Sequence, residues 1–236
     1  SILEMGLKHA VITSVSRDDL SDGGAGVFAQ CVLRARELAP DCSIEVLIPD
    51  FRGDLEALRK VMDARPDVCN HNLETVPRLY PALRTRADYR RSLELLQRGR
   101  LWADEHRSGM KIKTGIMLGV GETREEVVSL LGDARDHGVQ IVTIGQYLQP
   151  SHRHHPVRRY VEPAEFEEYR RRVSQSSFVL LADYRGLDVQ QMKDLRSRLG
   201  GLGCEDSLPR RRGRHFTHHD PGAGGVGPHS QGSCPE

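Results

Sequence analysis

Residues 111–148 read "KIKTGIMLGVGETREEVVSLLGDARDHGVQIVTIGQYL", and this stretch decides the fold. Its two ends, "KIKTGIMLGV" and "VQIVTIGQYL", are short, apolar and rich in β-branched residues, as buried strands are. Between them lies a helix with both ends marked. Thr123 and Glu126 stand three apart, the spacing of a capping box. Val127, Leu130, Leu131 and Ala134 recur at helical spacing, and Gly138 supplies the stop. A strand, a helix and a strand joined by short links make a βαβ unit with parallel strands.

The same alternation runs outward in both directions. Toward the N-terminus, "HAVITSV", "SIEVLIPD" and "DVCNHNLE" read as strands. The helix "AGVFAQCVLRARELA" puts Val27, Phe28, Cys31, Val32, Ala35 and Leu38 on one stripe. "DLEALRKVMDA" shows Leu55, Leu58, Val61 and Met62 on one face, with Asp54 as its cap. "YRRSLELLQRGRLWADEH" is a long helix, and "PAEFEEYRRRV" is a further one with Pro163 in its first turn. Five units with no sheet-reversing crossover give an α/β fold, a partial (β/α) TIM-like barrel over residues 1–173. The opening "SILEMGLK" reads as a helix tail running straight into a strand, so a barrel truncated at its N-terminus is expected. Residues 174–199 read as one further strand and helix of different character. Residues 200–236, rich in Gly, Pro, Arg and His and without apolar period, read as a disordered tail.

Bulk properties narrow the function classes. The chain carries 34 basic and 33 acidic residues in 236, a net charge of +1, which calls for neither a nucleic-acid nor a membrane partner. Mean hydropathy is −0.50, and no apolar run approaches the roughly 20 residues of a membrane span. The five cysteines, Cys31, Cys42, Cys69, Cys204 and Cys234, form no close pair. That argues against a disulfide framework and for a reducing, cytoplasmic setting.

In such barrels the chemistry sits at the C-terminal strand ends. Here those ends include "TSVSRDD", "IPDFRGD", "NHNLET", "GVGET" and "QYLQPS". The glycine-rich turns match no phosphate-binding fingerprint, and Asp18, Asp19 and Asp22 read as a solvated acidic loop. "HRHHP", with His152, His154 and His155, lacks the cysteine or carboxylate that would complete a metal site. "VCNHNLET" looks at first like a metal cluster of Cys69, His71 and Glu74. Strand alternation divides it, with Asn70 and Asn72 on one side and Cys69 and His71 on the other. Cys69 then reads as a small packing residue. The two asparagines offer donors and acceptors to a polar small molecule.

Together, "VITSVSRDDLSDGGAGVFAQC", "IEVLIPDFRGD", "DVCNHNLETVPRLY", "KTGIMLGVGET" and "TIGQYLQPSHRHHPVRRYVEPAEFEEY" resemble lipoyl synthase over residues 1–172. That family consists of radical S-adenosylmethionine enzymes built on a partial barrel. The resemblance implies insertion of two sulfur atoms, at C6 and C8, into an octanoyl chain. The chain is carried by a lipoyl domain such as the glycine-cleavage H protein or a dehydrogenase E2 subunit. It also implies S-adenosylmethionine and two 4Fe–4S clusters as cofactors. By resemblance, Thr13 and Ser14 close a strand of the cofactor pocket. Asn70 and Asn72 face the ribose and amino-acid part, followed by Glu74. Lys113, Gly119 and Glu122 belong to the strand motif "KTGIMLGVGE", and Gln146 and Leu148 lie on the adenine side.

The departures matter as much. The family's cluster cysteines precede "VITSV", and its C-terminal serine ligand has no counterpart, so this stretch is expected to hold no cluster and perform no catalysis by itself. "SSFVLLADYRGLDVQQMKDLRSRL" resembles the start of the bacterial large-subunit ribosomal protein at the stalk base. A ribosome- or RNA-associated fusion product is therefore one alternative. Another is a cluster-free barrel enzyme using Asp18, Lys113 and Glu122, although no motif supports it.

Overall fold

The computed structural model describes residues 2, 4–174 and 179–183. Among these residues, six strands lie side by side in chain order: β1 His9–Thr13, β2 Ser43–Leu47, β3 Val68–Asn70, β4 Lys111–Leu118, β5 Ile141–Gln146 and β6 Val179–Asp183. Every neighbouring pair is parallel. The helices are α1 Ala25–Leu38, α2 Leu55–Asp63, the short α3 Tyr80–Leu83, α4 Tyr89–Glu105, α5 Arg124–Asp136 and α6 Pro163–Ser174. This order, without reversal, is the α/β partial barrel expected from the alternation. The strand expected in residues 174–199 is β6, which pairs with β5 from Ile141↔Val179 to Gly145↔Asp183. The helix expected after it and the tail 200–236 lie outside the described residues.

The local signals act as the sequence says. Thr123 accepts from the Glu126 amide while the Glu126 carboxylate accepts from the Thr123 amide, closing the capping box of α5. Asp54 caps α2 through the amides of Glu56 and Ala57. The stripe of α1 is narrower than its pattern suggests. Ala25, Phe28, Val32 and Ala35 are buried, whereas Val27, Cys31 and Leu38 are exposed. A helix packed on one flank of the sheet buries a single i, i+3/i+4 row, so apolar residues one position off that row stay outside.

Alternation along the strands gives the sheet two unlike faces. One is apolar and joins the core formed with the helices, through Ile44, Val46, Cys69, Ile112, Ile116, Val142 and Ile144. The opposite, inner face carries His9, Glu45, Asn70 and Lys113 on four successive strands.

Candidate functional site

A cavity of about 500 Å³ opens at the C-terminal ends of β1, β2 and β3, within the usual size of small-molecule sites. Thr13, Ser14, Asp50, Asn72, Glu74 and Arg84 line it. Thr13 donates its hydroxyl to the Leu47 carbonyl at 3.1 Å, and Ser14 donates to the Val15 carbonyl at 2.9 Å, so both sit at the rim with lone pairs to spare.

The asparagine stretch enters the cavity through a break in the ladder. β3 ends at Asn70, and pairing with β4 resumes only at the bridge Glu74↔Ile116. Glu74 takes a left-handed conformation with φ 65, its carboxylate meeting Arg84 at 3.1 Å and the Asn72 amide at 3.3 Å. The Asn72 side chain lies over Gly115, where a Cβ would stand 2.7 Å from its Oδ1. A side chain at that point of β4 would force Asn72 out of this position.

His71 faces away, as alternation predicts, and is fully enclosed. Its Nδ1 stands 2.9 Å from the Ile48 carbonyl and its Nε2 3.0 Å from the Ser92 hydroxyl. The carbonyl can only accept, so Nδ1 carries the proton and Nε2 accepts from Ser92. Burial holds its pKa below the usual value, against the pull of the Ile48 carbonyl and of Asp50. A neutral His71 thus ties the end of β2 to α4 behind the cavity wall.

Asn70 points to the inner face and does not line the cavity. Its Nδ2 donates to Glu45 Oε1 at 2.9 Å. The same carboxylate takes the Lys113 ammonium at 2.9 and 3.0 Å and stands 3.3 Å from His9 Nε2. Turning the Asn70 amide would set two oxygens face to face, so Oδ1 is the free end. It is buried without a partner. Lys113 is thus committed to an ion pair. A catalytic role for it with Asp18 and Glu122 finds no support in the geometry, because Asp18 pairs with Arg52 and Glu122 is enclosed elsewhere.

The ends of β4 and β5 are closed by their own bonds. Glu122 accepts from the amides of Gly119 at 2.8 Å, Val120 at 2.9 Å and Gly121 at 3.1 Å, with Arg159 at 3.4 Å. Gly119 has φ 96, and a methyl there would overlap the Arg159 carbonyl and the Gln146 amide. Gln146 donates to the carbonyls of Leu118, Tyr147 and Arg159 and accepts from the Val161 amide. Leu148 is 45% exposed and lies outside the cavity lining. Of the ten residues that the sequence assigned to cofactor binding, Thr13, Ser14, Asn72 and Glu74 are brought together at the cavity. Asp50 and Arg84 join them there unassigned, with the enclosed His71 behind them. The signal for Asp50 was in "IPDFRGD", but nothing in that string says which carboxylate faces inward.

Among the described residues, no group of three or more His, Cys, Asp or Glu side chains is arranged to hold a metal. Cys31 is exposed on α1, while Cys42 and Cys69 are buried apart from it. Burial, with Glu45 adding to it, pushes the Cys69 thiol up to about 12, so it stays protonated and non-ligating. These residues do not fit an iron–sulfur cluster. In the histidine loop, His154 meets Ser151 at 2.8 Å and His155 meets the Val120 carbonyl at 2.9 Å; both brace the loop.

The family model described as Radical SAM superfamily matches residues 1–134. The chain belongs to that superfamily. Residues 161–207 also match the family described as Ribosomal protein L10. The chain is 53% identical over 171 residues to a lipoyl synthase of Rubrobacter xylanophilus, covering 72% of this chain and 52% of that protein. A lipoyl synthase of Aeromonas hydrophila is 56% identical over 169 residues, covering 71% and 51% respectively. The chain therefore spans about half the length of the curated relatives it matches. The fold is similar to that of methylornithine synthase (PylB), with a TM-score of 0.56 at 15% identity, over 74% of this chain and 50% of that one.

Proposed function

We propose that this chain is the S-adenosylmethionine-binding barrel portion of a lipoyl synthase, which inserts sulfur at C6 and C8 of a protein-bound octanoyl group. The observation that carries the reading is the cavity at the C-terminal strand ends, where Asn72 and Glu74 from the "NHNLET" stretch project together. The similarity to lipoyl synthases supplies the chemistry. When bound, S-adenosylmethionine supplies the 5′-deoxyadenosyl group that removes hydrogen from the alkyl chain.

This chain's own residues bind and orient. Asn72 and Glu74 present an amide and a carboxylate to ribose hydroxyls or an ammonium, and Arg84 holds the Glu74 carboxylate in place. Thr13 and Ser14 close the opposite rim. Asn70, held by Glu45 and enclosed on the inner face, belongs to the scaffold behind the ligand. Lys113 fixes Asn70 indirectly, through their shared partner Glu45. Gly119, Glu122 and Gln146 act as a scaffold beside the ligand. Leu148 offers an exposed apolar side chain on that flank, suited to an adenine face.

The two 4Fe–4S clusters of the family find no ligand set among the described residues, and no step is derived through them. The acceptor in this reading is an octanoylated lipoyl-carrier domain, the H protein or an E2 subunit, in the cytoplasm. Calorimetric titration of the chain with S-adenosylmethionine tests the reading. Saturable binding that Asn72→Ala weakens by about ten-fold or more is expected; no binding overturns the reading. After reconstitution with iron and sulfide, no stable cluster absorption is expected from this chain alone.

The match of residues 161–207 to Ribosomal protein L10 favours a second reading, a ribosome-associated fusion product. Co-sedimentation with ribosomes would support it. The pairing of β6 with β5 gives part of that segment a use within the sheet instead.

A further inference from the structure

The β3–β4 ladder is interrupted where the cavity begins, and a single hydroxyl fills the gap. Pairing runs in register to Asn70↔Lys113 and resumes at Glu74↔Ile116, so one side advances by four residues and the other by three. The extra residue makes a bulge, a device that re-aims side chains beside binding sites. Inside it, the Leu73 amide and the His71 carbonyl have lost their ladder partners. Thr114 Oγ1 serves both, accepting from Leu73 N at 3.1 Å and donating to His71 O at 2.8 Å. Tyr80 Oη closes the outer side by donating to the Leu73 carbonyl at 2.7 Å. Past this point Glu74 turns to φ 65 and Asn72 drops over Gly115.

Thr114 is 0% exposed, and its strand neighbours on the same face, Ile112 and Ile116, are apolar core residues. For packing alone, valine has the same shape and no hydroxyl to desolvate. The two hydrogen bonds are therefore what threonine adds. They connect the residues on either side of Asn72, the residue that the cavity presents to its ligand.

We propose that Thr114 is a positioning residue for the cavity. Its hydroxyl locks the bulge that turns Asn72 and Glu74 toward the bound S-adenosylmethionine. This rests on the proposal that those two residues contact S-adenosylmethionine.

The test compares the full chain as wild type, Thr114→Val and Thr114→Ser. S-adenosylmethionine affinity is measured by titration. Without ligand, NMR follows the side-chain amide resonances of Asn72 and the hydrogen exchange of the Leu73 amide. Thr114→Val is expected to weaken binding by about ten-fold. It is also expected to move the Asn72 resonances and to speed Leu73 exchange by about ten-fold or more. Thr114→Ser, which keeps the hydroxyl, is expected to restore all three. The proposal is overturned if Thr114→Val leaves the Asn72 resonances and Leu73 exchange unchanged. It is equally overturned if the variant only lowers the melting temperature while its folded molecules bind as wild type does. Should Thr114→Val not fold, Thr114→Ala decides by the same measurements. No binding by the wild-type chain overturns the cofactor reading, and the positioning role then stands or falls on the ligand-free spectra.

Discussion

The two flanks of the barrel mouth are both polar in sequence but use their polar groups differently. At the ends of β1, β2 and β3, Thr13, Ser14, Asn72 and Glu74 stand around an open cavity, with Thr13 and Ser14 each making a single hydrogen bond. At the ends of β4 and β5, a comparable density of polar groups is consumed internally. Glu122 collects three backbone amides, and Gln146 bridges three carbonyls and an amide. A polar strand end is thus no guide to ligand contact by itself. What counts is whether its donors and acceptors are already spent, because a satisfied buried group gains nothing from a ligand and loses its partner if moved.

The contrast can be broken by mutation. The largest effect is expected on the closed flank. Gly119→Ala combines a left-handed backbone with overlap against the Arg159 carbonyl, and a loss of about 3 to 5 kcal/mol in urea denaturation is expected. Glu122→Ala removes the acceptor of three amides, for which about 2 to 4 kcal/mol is expected by the same measurement. In both variants the molecules that remain folded are expected to keep much of their S-adenosylmethionine affinity. If binding vanishes first, the closed flank is itself part of the site.

Acid should separate the flanks by pH. The Arg159 guanidinium beside Glu165 and the Arg78 guanidinium beside Glu126 hold both carboxylates down to about 2. Their folded values lie below the unfolded ones. Their contribution is therefore complete above about pH 4.5 and lost as pH falls from there toward about 2. His71, behind the open flank, is also lowered when folded, so stability is lost as pH drops below its ordinary value of 6.5. Denaturation midpoints at several pH values should show the His71 loss first and the carboxylate loss later. In His71→Gln the first step should disappear.

The smallest effect on folding belongs to the open flank. Asn72→Ala and Ser14→Ala are expected to change stability by less than about 1 kcal/mol, because neither side chain completes a buried network. Asn72→Ala should nonetheless cost about ten-fold or more in ligand affinity. A large loss of stability from Asn72→Ala would erase the distinction between the flanks.

Much of this molecule is legible in the string. The capping box at Thr123 and Glu126, the cap at Asp54 and the parallel order of the strands all follow from local rules. So does the opposition of Asn72 and His71, since period two persists to the edge of the bulge. The bulge itself was not legible. "DVCNHNLE" reads as one continuous strand, and nothing local says that its partner strand will carry a hydroxyl able to bridge a skipped residue. The split between Asn70 and Asn72 was hidden for the same reason. They share a side, but Glu45, 25 residues earlier, claims only one of them.

The sequence by itself determined the alternation of strands and helices, the helix ends and the superfamily, because these depend on periodicity, capping and motif. The tertiary structure alone decided which polar strand ends remain available to a ligand. That outcome depends on contacts between distant residues, Thr114 with Leu73, Glu45 with Asn70 and Arg159 with Glu122, which spend or spare hydrogen bonds that the linear order cannot allocate.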